Sequence, residues 1–188
     1  MKTNLFFVRH AHATYTPDEL SRPLSKQGLF DATNVTSILK DEKIDIVISS
    51  PYKRAIQTVD GIAQLRDMEI VLKDDFMERL LSDGPVDNFL QAITAVWENE
   101  QLSFKGGESN IIAQARGVKV TKEILSKYEG KNIVVGTHGN IMVLIMNYFD
   151  PQFDFAFWKQ LTMPDIYKLS FDGHELVDVY RLWSSQNH

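Results

Sequence analysis

The segment Leu5-Phe6-Phe7-Val8-Arg9-His10 is an apolar run that ends abruptly in an arginine and a histidine. Short apolar segments with aromatic and β-branched residues are typical of buried strands. We therefore predict a strand over residues 3–8 whose end delivers two polar groups to one place. A histidine there can act as a nucleophile, and the arginine beside it can hold an anion.

Strand-like and helix-like segments alternate along most of the chain. Strands are predicted at 3–8, 44–49, 69–73 and 133–135, helices at 25–40, 51–65, 86–102, 108–128 and 140–149, and a final hairpin at 166–171 and 176–182. Parallel strands are joined by right-handed helical crossovers. We therefore expect an α/β fold, a three-layer α/β/α sandwich with a mostly parallel central sheet and an antiparallel edge hairpin.

Composition indicates an ordinary globular chain. Its 188 residues are 44% hydrophobic and 24% charged, which predicts a single domain over 1–188, with an insertion at about 80–106 that caps the end of the sheet. The net charge of -5 argues against nucleic-acid binding, so an anionic substrate needs a local positive pocket. The apolar run at the N-terminus is too short to span a membrane. The chain has no cysteine, which fits the cytoplasm that we expect.

Polar motifs follow three of the predicted strands. Arg9-His10 follows the first strand, 49–54 (Ser-Ser-Pro-Tyr-Lys-Arg) follows the second, and 137–140 (Thr-His-Gly-Asn) follows the fourth. Ligands of open α/β sheets bind beyond the carboxyl ends of the strands. Guanidinium groups bind phosphate oxygens bidentately, so two arginines and two histidines at this edge predict a phosphoryl site.

These residues resemble a known family in their order and spacing. Val8-Arg9-His10, 49–58 (Ser-Ser-Pro-x-x-Arg-Ala-x-Gln-Thr), Met77-Glu78-Arg79 and Thr137-His138-Gly139 are together similar to the histidine phosphatase superfamily, whose fold is phosphoglycerate mutase-like. The resemblance covers nearly the whole chain. It implies a phosphatase that hydrolyses phosphomonoesters of small molecules without a metal or a cofactor.

The resemblance also implies roles for individual residues. His10 is expected to become phosphohistidine, while Arg9, Arg54 and His138 hold the transferring phosphoryl group. Glu78 is expected to protonate the leaving oxygen. The physical chemistry agrees, because neighbouring arginines disfavour the imidazolium and help to keep His10 neutral.

Two further phosphate contacts are expected from weaker signals. Backbone N–H groups near Gly139 open the helix that follows and can form an anion seat. Thr16 stands where many family members have a phosphate-contacting asparagine. The residues after Arg9-His10 depart from the family, since the hydroxyl of Thr14 is displaced by one position, and Thr14 is given no role.

Several alternatives remain open at this point. A phosphoglycerate mutase needs extra basic groups, but residues 80–104 contain neither lysine nor arginine, which favours a phosphatase. A phosphatase of phosphohistidine proteins would not need an acid such as Glu78. A catalytically weak regulatory module on the same fold is a third alternative. His10, His12 and His138 could instead bind a metal, although the arginines would repel a cation. The substrate and the oligomeric state are left undetermined.

Overall fold

The computed structural model describes residues 1–184. The strands are β1 (Lys2–Arg9), β2 (Ile46–Ser49), β3 (Ile70–Leu72), β4 (Asn132–Thr137), β5 (Asp165–Asp172) and β6 (Glu175–Arg181). The helices are α1 (Lys26–Leu39), α2 (Lys53–Leu65), α3 (Phe89–Glu98), α4 (Asn110–Lys127), α5 (Gly139–Phe149) and α6 (Phe155–Gln160). No helix within this part of the chain is long and apolar enough to cross a membrane.

All six strands form one sheet in the order β3-β2-β4-β1-β5-β6. Strands β1 to β4 run parallel, whereas β5 is antiparallel to β1, and β6 is antiparallel to β5. Because β4 lies between β1 and β2, Arg9 pairs with Thr137, and Ser49 pairs with Gly136. The three strands that carry the polar motifs are therefore neighbours, and their carboxyl ends meet at one edge.

Helices cover both faces of the sheet, so each face has its own apolar core. Phe6 and Val8 of β1 pack with side chains of α1 and α2 on one face. Leu5 and Phe7 pack with side chains of α4 and α5 on the other face. Alternate residues of a strand point to opposite faces, which explains why a continuous apolar run is buried on both sides. The predicted three-layer α/β/α sandwich is confirmed.

The helix boundaries differ from the predicted ones by a few residues, and a side-chain cap accounts for the start of α3. The Asn88 side chain accepts a hydrogen bond from the Gln91 N–H at 3.0 Å, so α3 begins at Phe89 and not at residue 86. Helix α2 begins two residues after the predicted Pro51. Helix α6 was not predicted, because six residues are too few to show a helical period.

Candidate active site

The strand ends bring four of the predicted residues into one cluster. Arg9 ends β1, His10 follows it, His138 follows β4, and Arg54 lies in the first turn of α2. The His10 N–H donates to the Thr137 carbonyl at 3.0 Å, which continues the β1–β4 pairing past the strand. The rings of His10 and His138 meet edge-on, with centroids 5.1 Å apart. We call Arg9, His10, Arg54 and His138 the arginine–histidine cluster.

The hydrogen bonds of His10 define its tautomer. Its Nδ1 lies 2.8 Å from the Ala11 carbonyl oxygen, which only accepts, so Nδ1 carries the proton. The Arg54 Nε–H donates to the His10 Nε2 at 3.3 Å, which requires a lone pair on that nitrogen. His10 is therefore placed as a neutral imidazole whose unprotonated Nε2 accepts from Arg54.

Burial explains most of this neutrality. The His10 side chain is buried, and this lowers its pKa to about 3, whereas the hydrogen bond to Ala11 acts in the opposite direction. The positive charges of Arg54 and Arg9 lower the same pKa further. The arginines act in the direction that the sequence predicted, but burial of the ring is the larger cause.

His138 is completely buried beside His10, and Ser50 holds it in place. The His138 Nε2 lies 2.8 Å from the Ser50 hydroxyl, while its Nδ1 has no hydrogen-bond partner within residues 1–184. Burial, followed by the nearby positive charges, lowers the pKa of His138 well below its usual value. The Tyr52 ring packs edge-on against the His138 ring, with the ring centroids 5.0 Å apart. Sequence reasoning did not assign Ser50 this contact, although the residue lies in the second polar motif.

Arg54 belongs to an anion site that the chain itself fills. Its Nη1 donates to the Glu19 carbonyl at 2.9 Å, and its Nη2 lies 3.0 Å from the Glu19 carboxylate. Arg22 reaches the other oxygen of that carboxylate at 2.6 Å. Neither Glu19 nor Arg22 was predicted, because the loop between β1 and α1 has no periodic pattern. A carboxylate between these two arginines shows that their donors suit an anion.

Arg9 depends on the glycine that opens α5. Its Nη1 donates to the carbonyls of Leu161 and Thr162 at 3.3 and 3.2 Å, and its buried Nε has no partner in the described chain. A Cβ atom on Gly139 would lie only 3.0 Å from that Nε. Gly139 therefore admits the Arg9 guanidinium, which is a different contribution from the predicted anion seat.

The N-terminus of α5 does hold an anion, and that anion is the Glu78 carboxylate. Glu78 accepts hydrogen bonds from the N–H groups of Asn140 at 3.0 Å and Ile141 at 2.9 Å. It also accepts one from the Arg79 N–H at 2.9 Å. The partial positive charge of a helix N-terminus favours this arrangement. Glu78 is thus brought to the edge of the cluster, where it lines a cavity of about 790 Å³ together with Tyr52 and Arg22.

The structure does not bring Thr16 and His12 into the cluster by any contact described. The Thr16 hydroxyl donates to the Asp18 carbonyl at 3.0 Å, and its own carbonyl accepts from Arg22 at 2.7 Å, so Thr16 shapes the loop. His12 is exposed, and its Nδ1 faces the Ser25 hydroxyl at 2.9 Å. Within residues 1–184, no three histidine, aspartate or glutamate side chains are grouped to hold a metal ion.

Fold and site together define a class of α/β protein in which a buried neutral histidine lies among arginines at the carboxyl edge of a mostly parallel sheet. The chain belongs to the histidine phosphatase superfamily (branch 1), whose family model matches residues 5–179. The predicted family, the predicted fold class and the prediction of a phosphatase are thereby confirmed. The roles of the individual residues stay predictions.

One sequence relative and two solved structures are similar to this chain. Phosphoserine phosphatase 1 of Hydrogenobacter thermophilus is 26% identical over 147 residues, which cover 71% of this chain and 70% of that protein. A mycobacterial glucosyl-3-phosphoglycerate phosphatase superposes with a TM-score of 0.77 at 18% identity, covering 96% of this chain and 97% of the other. A phosphoglycerate mutase of Bacillus anthracis superposes with a TM-score of 0.74 at 15% identity, covering 94% of this chain and 91% of the other. Both structural likenesses show the fold alone.

Proposed function

We propose that this protein hydrolyses phosphate monoesters of small molecules through a phosphohistidine on His10. The observation that carries the proposal is the neutral His10 ring, whose Nδ1 proton is held by Ala11 and whose Nε2 lone pair is free of a proton. Such a nitrogen can attack phosphorus directly. The sequence relative that is described as a phosphoserine phosphatase supports a small phosphorylated metabolite as the substrate.

The reaction divides into two transfers. In the first, the His10 Nε2 forms a bond to phosphorus, the ester P–O bond breaks, and the leaving oxygen takes a proton from Glu78. In the second, Glu78 takes a proton from water, the water oxygen attacks phosphorus, and the N–P bond breaks to release phosphate. Arg9, Arg54 and His138 are proposed to bind the three non-bridging oxygens.

Arg9, Arg54 and His138 can each donate a hydrogen bond to a phosphoryl oxygen. The buried Nε of Arg9 and Nδ1 of His138 have no partner in the described chain. If the Ser50 hydroxyl donates to the His138 Nε2, the proton of that neutral ring lies on Nδ1. A phosphoryl group at Arg54 takes the place that the Glu19 carboxylate holds.

Glu78 has to change its hydrogen bonds to act as a proton donor. Both of its oxygens accept from backbone N–H groups. One oxygen must carry the proton, so at least the bond from Asn140 gives way to the leaving oxygen of the substrate. Glu78 lines the cavity, and the leaving alcohol is proposed to lie in that cavity.

Hydrolysis is favoured over a mutase reaction by the charge of the insertion. Residues 80–104 offer no lysine or arginine to hold a second acidic group of a sugar-acid bisphosphate. Independence from metal ions, a cytoplasmic location and a single domain capped by residues 80–106 belong to the same proposal.

A metal-free screen tests the proposal. Protein dialysed against a chelator is assayed for phosphate release on a panel of phosphomonoesters, including 3-phosphoglycerate with and without its bisphosphate cofactor. We expect phosphate release that the chelator does not change. Loss of activity on chelation would contradict metal independence, and isomerisation without phosphate release would identify a mutase.

A further inference from the structure

The direction of the Arg9 guanidinium is set by a short connection that has no part in the proposed reaction. Its Nη1 donates to the Leu161 carbonyl at 3.3 Å and to the Thr162 carbonyl at 3.2 Å, and these are the only hydrogen bonds of that side chain within residues 1–184. Both carbonyls lie in the connection between α6 and β5, residues 161–164, which forms neither helix nor strand. The direction of the guanidinium therefore depends on what holds this connection in place.

The carboxylate of Asp165, the first residue of β5, holds the connection. Asp165 is 0% exposed and lies opposite Arg9 in the β1–β5 pairing. One of its oxygens accepts from the Thr162 N–H at 2.9 Å, and the other accepts from the Ile166 N–H at 3.0 Å. The carboxylate thus binds the backbone on both sides of the start of β5.

A single peptide unit links Asp165 to Arg9. The Thr162 N–H and the Leu161 carbonyl belong to the same planar peptide, whose two polar groups point in opposite directions. Asp165 accepts from one end of this unit, and Arg9 donates to the other end. Hydrogen bonds in such a chain polarise and strengthen one another. Burial lowers the pKa of Arg9, and the charges of Glu78 and Asp165 oppose this effect.

Arg181, the last residue of β6, binds Asp165 with both arms of its guanidinium. Its Nε donates to one carboxylate oxygen at 2.9 Å, and its Nη2 donates to the other at 2.8 Å. The same Nη2 donates to the Thr162 hydroxyl at 3.1 Å, and the guanidinium lies over the Tyr167 ring at 5.8 Å. A bidentate pair fixes direction as well as distance. Arg181 therefore neutralises the buried carboxylate and fixes its rotation.

The ion pair serves the connection more directly than it serves the β5–β6 hairpin. The paired residues of the hairpin begin with Tyr167 and Arg181, so Asp165 precedes them. The other donors to Asp165 are the Thr162 and Ile166 groups, which lie on the side of Arg9. The contacts of the carboxylate thus converge on the backbone that Arg9 binds.

We propose that Asp165 and Arg181 form a positioning pair that aims the Arg9 guanidinium at the transferring phosphoryl group. This inference rests on the proposed function, in which Arg9 binds that group, and it adds two residues that act through Arg9 and not on the substrate. Arg181 fixes the Asp165 carboxylate, and the carboxylate fixes the peptide between residues 161 and 162. That peptide holds the Arg9 Nη1, which leaves the unfilled Nε for a phosphoryl oxygen.

Arg181→Gln tests the positioning pair, because it removes the bidentate partner of the buried carboxylate. We expect kcat/KM on 4-nitrophenyl phosphate to fall by about 10- to 100-fold, since a small misplacement of a binding group has an effect of that size. Arg181→Lys should give an intermediate value, because lysine keeps the charge but lacks the planar fork. The control is Lys168→Gln, which breaks the ion pair of β5 with Glu42 at 3.2 Å and should keep kcat/KM within about twofold of the wild type.

A double-mutant cycle with Arg9→Gln separates positioning from stability. In the Arg9→Gln background, Arg181→Gln should lower kcat/KM by less than about threefold, because the guanidinium to be aimed is gone. The fall in melting temperature caused by Arg181→Gln should be equal in both backgrounds, since each leaves the buried carboxylate unpaired. Additive losses of activity would overturn the proposal and make the pair purely structural. If Arg181→Gln does not fold, the same cycle with Arg181→Lys decides by the same criterion.

Binding of inorganic phosphate distinguishes this proposal from the proposed function. In calorimetry the wild type should bind phosphate about 3- to 10-fold more tightly than Arg181→Gln, whereas Arg9→Gln and Arg9→Gln/Arg181→Gln should bind it equally. If no phosphomonoester is hydrolysed but this pattern is found, the proposed function fails and the positioning pair stands. If the wild type and Arg181→Gln hydrolyse phosphomonoesters equally well, the positioning pair is wrong and the proposed function stands.

Discussion

The arginine–histidine cluster and the proposed cap insertion are built in opposite ways. Tyr52, which packs against His138, lines a cavity together with residues 80–86. His10, Arg54 and His138 are 8%, 5% and 0% exposed, and each follows a strand or opens a helix. In the insertion, Leu80 and Phe89 are 45% and 56% exposed, and residues 80–88 form neither helix nor strand. The sheet therefore fixes the residues that are proposed to react, whereas an irregular segment lines the cavity beside them.

If the buried cluster carries the chemistry, substitution of one of its residues should cause the largest loss of activity. His10→Asn should lower kcat/KM by about 10⁴-fold or more on every ester, because the attacking nitrogen is gone. The control is His12→Asn, which alters an exposed histidine two residues away and should retain activity within about twofold of the wild type. Steady-state phosphate release measures both. Activity of His10→Asn close to that of the wild type would contradict the assignment of His10 as the nucleophile.

Removal of a charge from the cluster should have the next largest effect. Arg54→Gln should lower kcat by about 10²- to 10³-fold, since one charged donor to the phosphoryl oxygens is lost. Lys53→Gln removes an exposed charge at the preceding position of α2 and should change little. Equal losses of kcat in the two variants would mean that activity depends on overall positive charge and not on the position of Arg54 in the cluster.

Glu78 is the proposed proton donor, and its substitution should lower kcat by an amount that depends on the leaving group. Glu78→Gln should lower kcat by about 10²-fold on alkyl phosphates. On 4-nitrophenyl phosphate the loss should be below about tenfold, because that leaving group needs no proton. Asp74→Asn, at an exposed carboxylate nearby, is the control. The same loss on both kinds of ester would assign Glu78 to structure, as a cap of α5.

The smallest effect is expected in stability against pH. The pKa of His10 is lowered to about 3 in the folded protein, below its ordinary value of 6.5. Between these values the unfolded chain binds more protons at this site, so stability falls as the pH falls. From about pH 7 to about pH 4.5, His10→Asn should lose several degrees less in melting temperature than the wild type. Thermal unfolding followed by circular dichroism measures the difference, and equal losses would contradict a buried neutral His10.

The sequence was sufficient to predict the cluster because regular elements deliver it. Apolar runs that end in Arg9-His10 and in Thr137-His138 identify adjacent strand ends, and Arg54 lies at a fixed distance after the second strand. The order of the strands was not predicted, and the structure shows that it places these three strands side by side and brings their ends together.

The rest of the site depends on contacts between distant segments that have no periodic pattern. Glu19 reaches Arg54 from an irregular loop, and Glu78 accepts from the start of α5, some sixty residues away in sequence. The buried donor that Arg9 leaves unfilled is visible only once the packing around it is known. Pattern reasoning named Glu78 through its motif, but it did not predict the hydrogen bonds that hold the carboxylate.

The central claim is that the His10 Nε2 carries the phosphoryl group between the substrate and water. Rapid quench of the wild type with a labelled phosphomonoester, followed by mass spectrometry of the peptide that contains residue 10, tests this claim directly. We expect an acid-labile, base-stable phosphoryl adduct on His10 that forms and decays within a turnover and is absent from His10→Asn. Phosphate release by the wild type with no adduct on His10, or with an equal adduct in His10→Asn, would contradict the account.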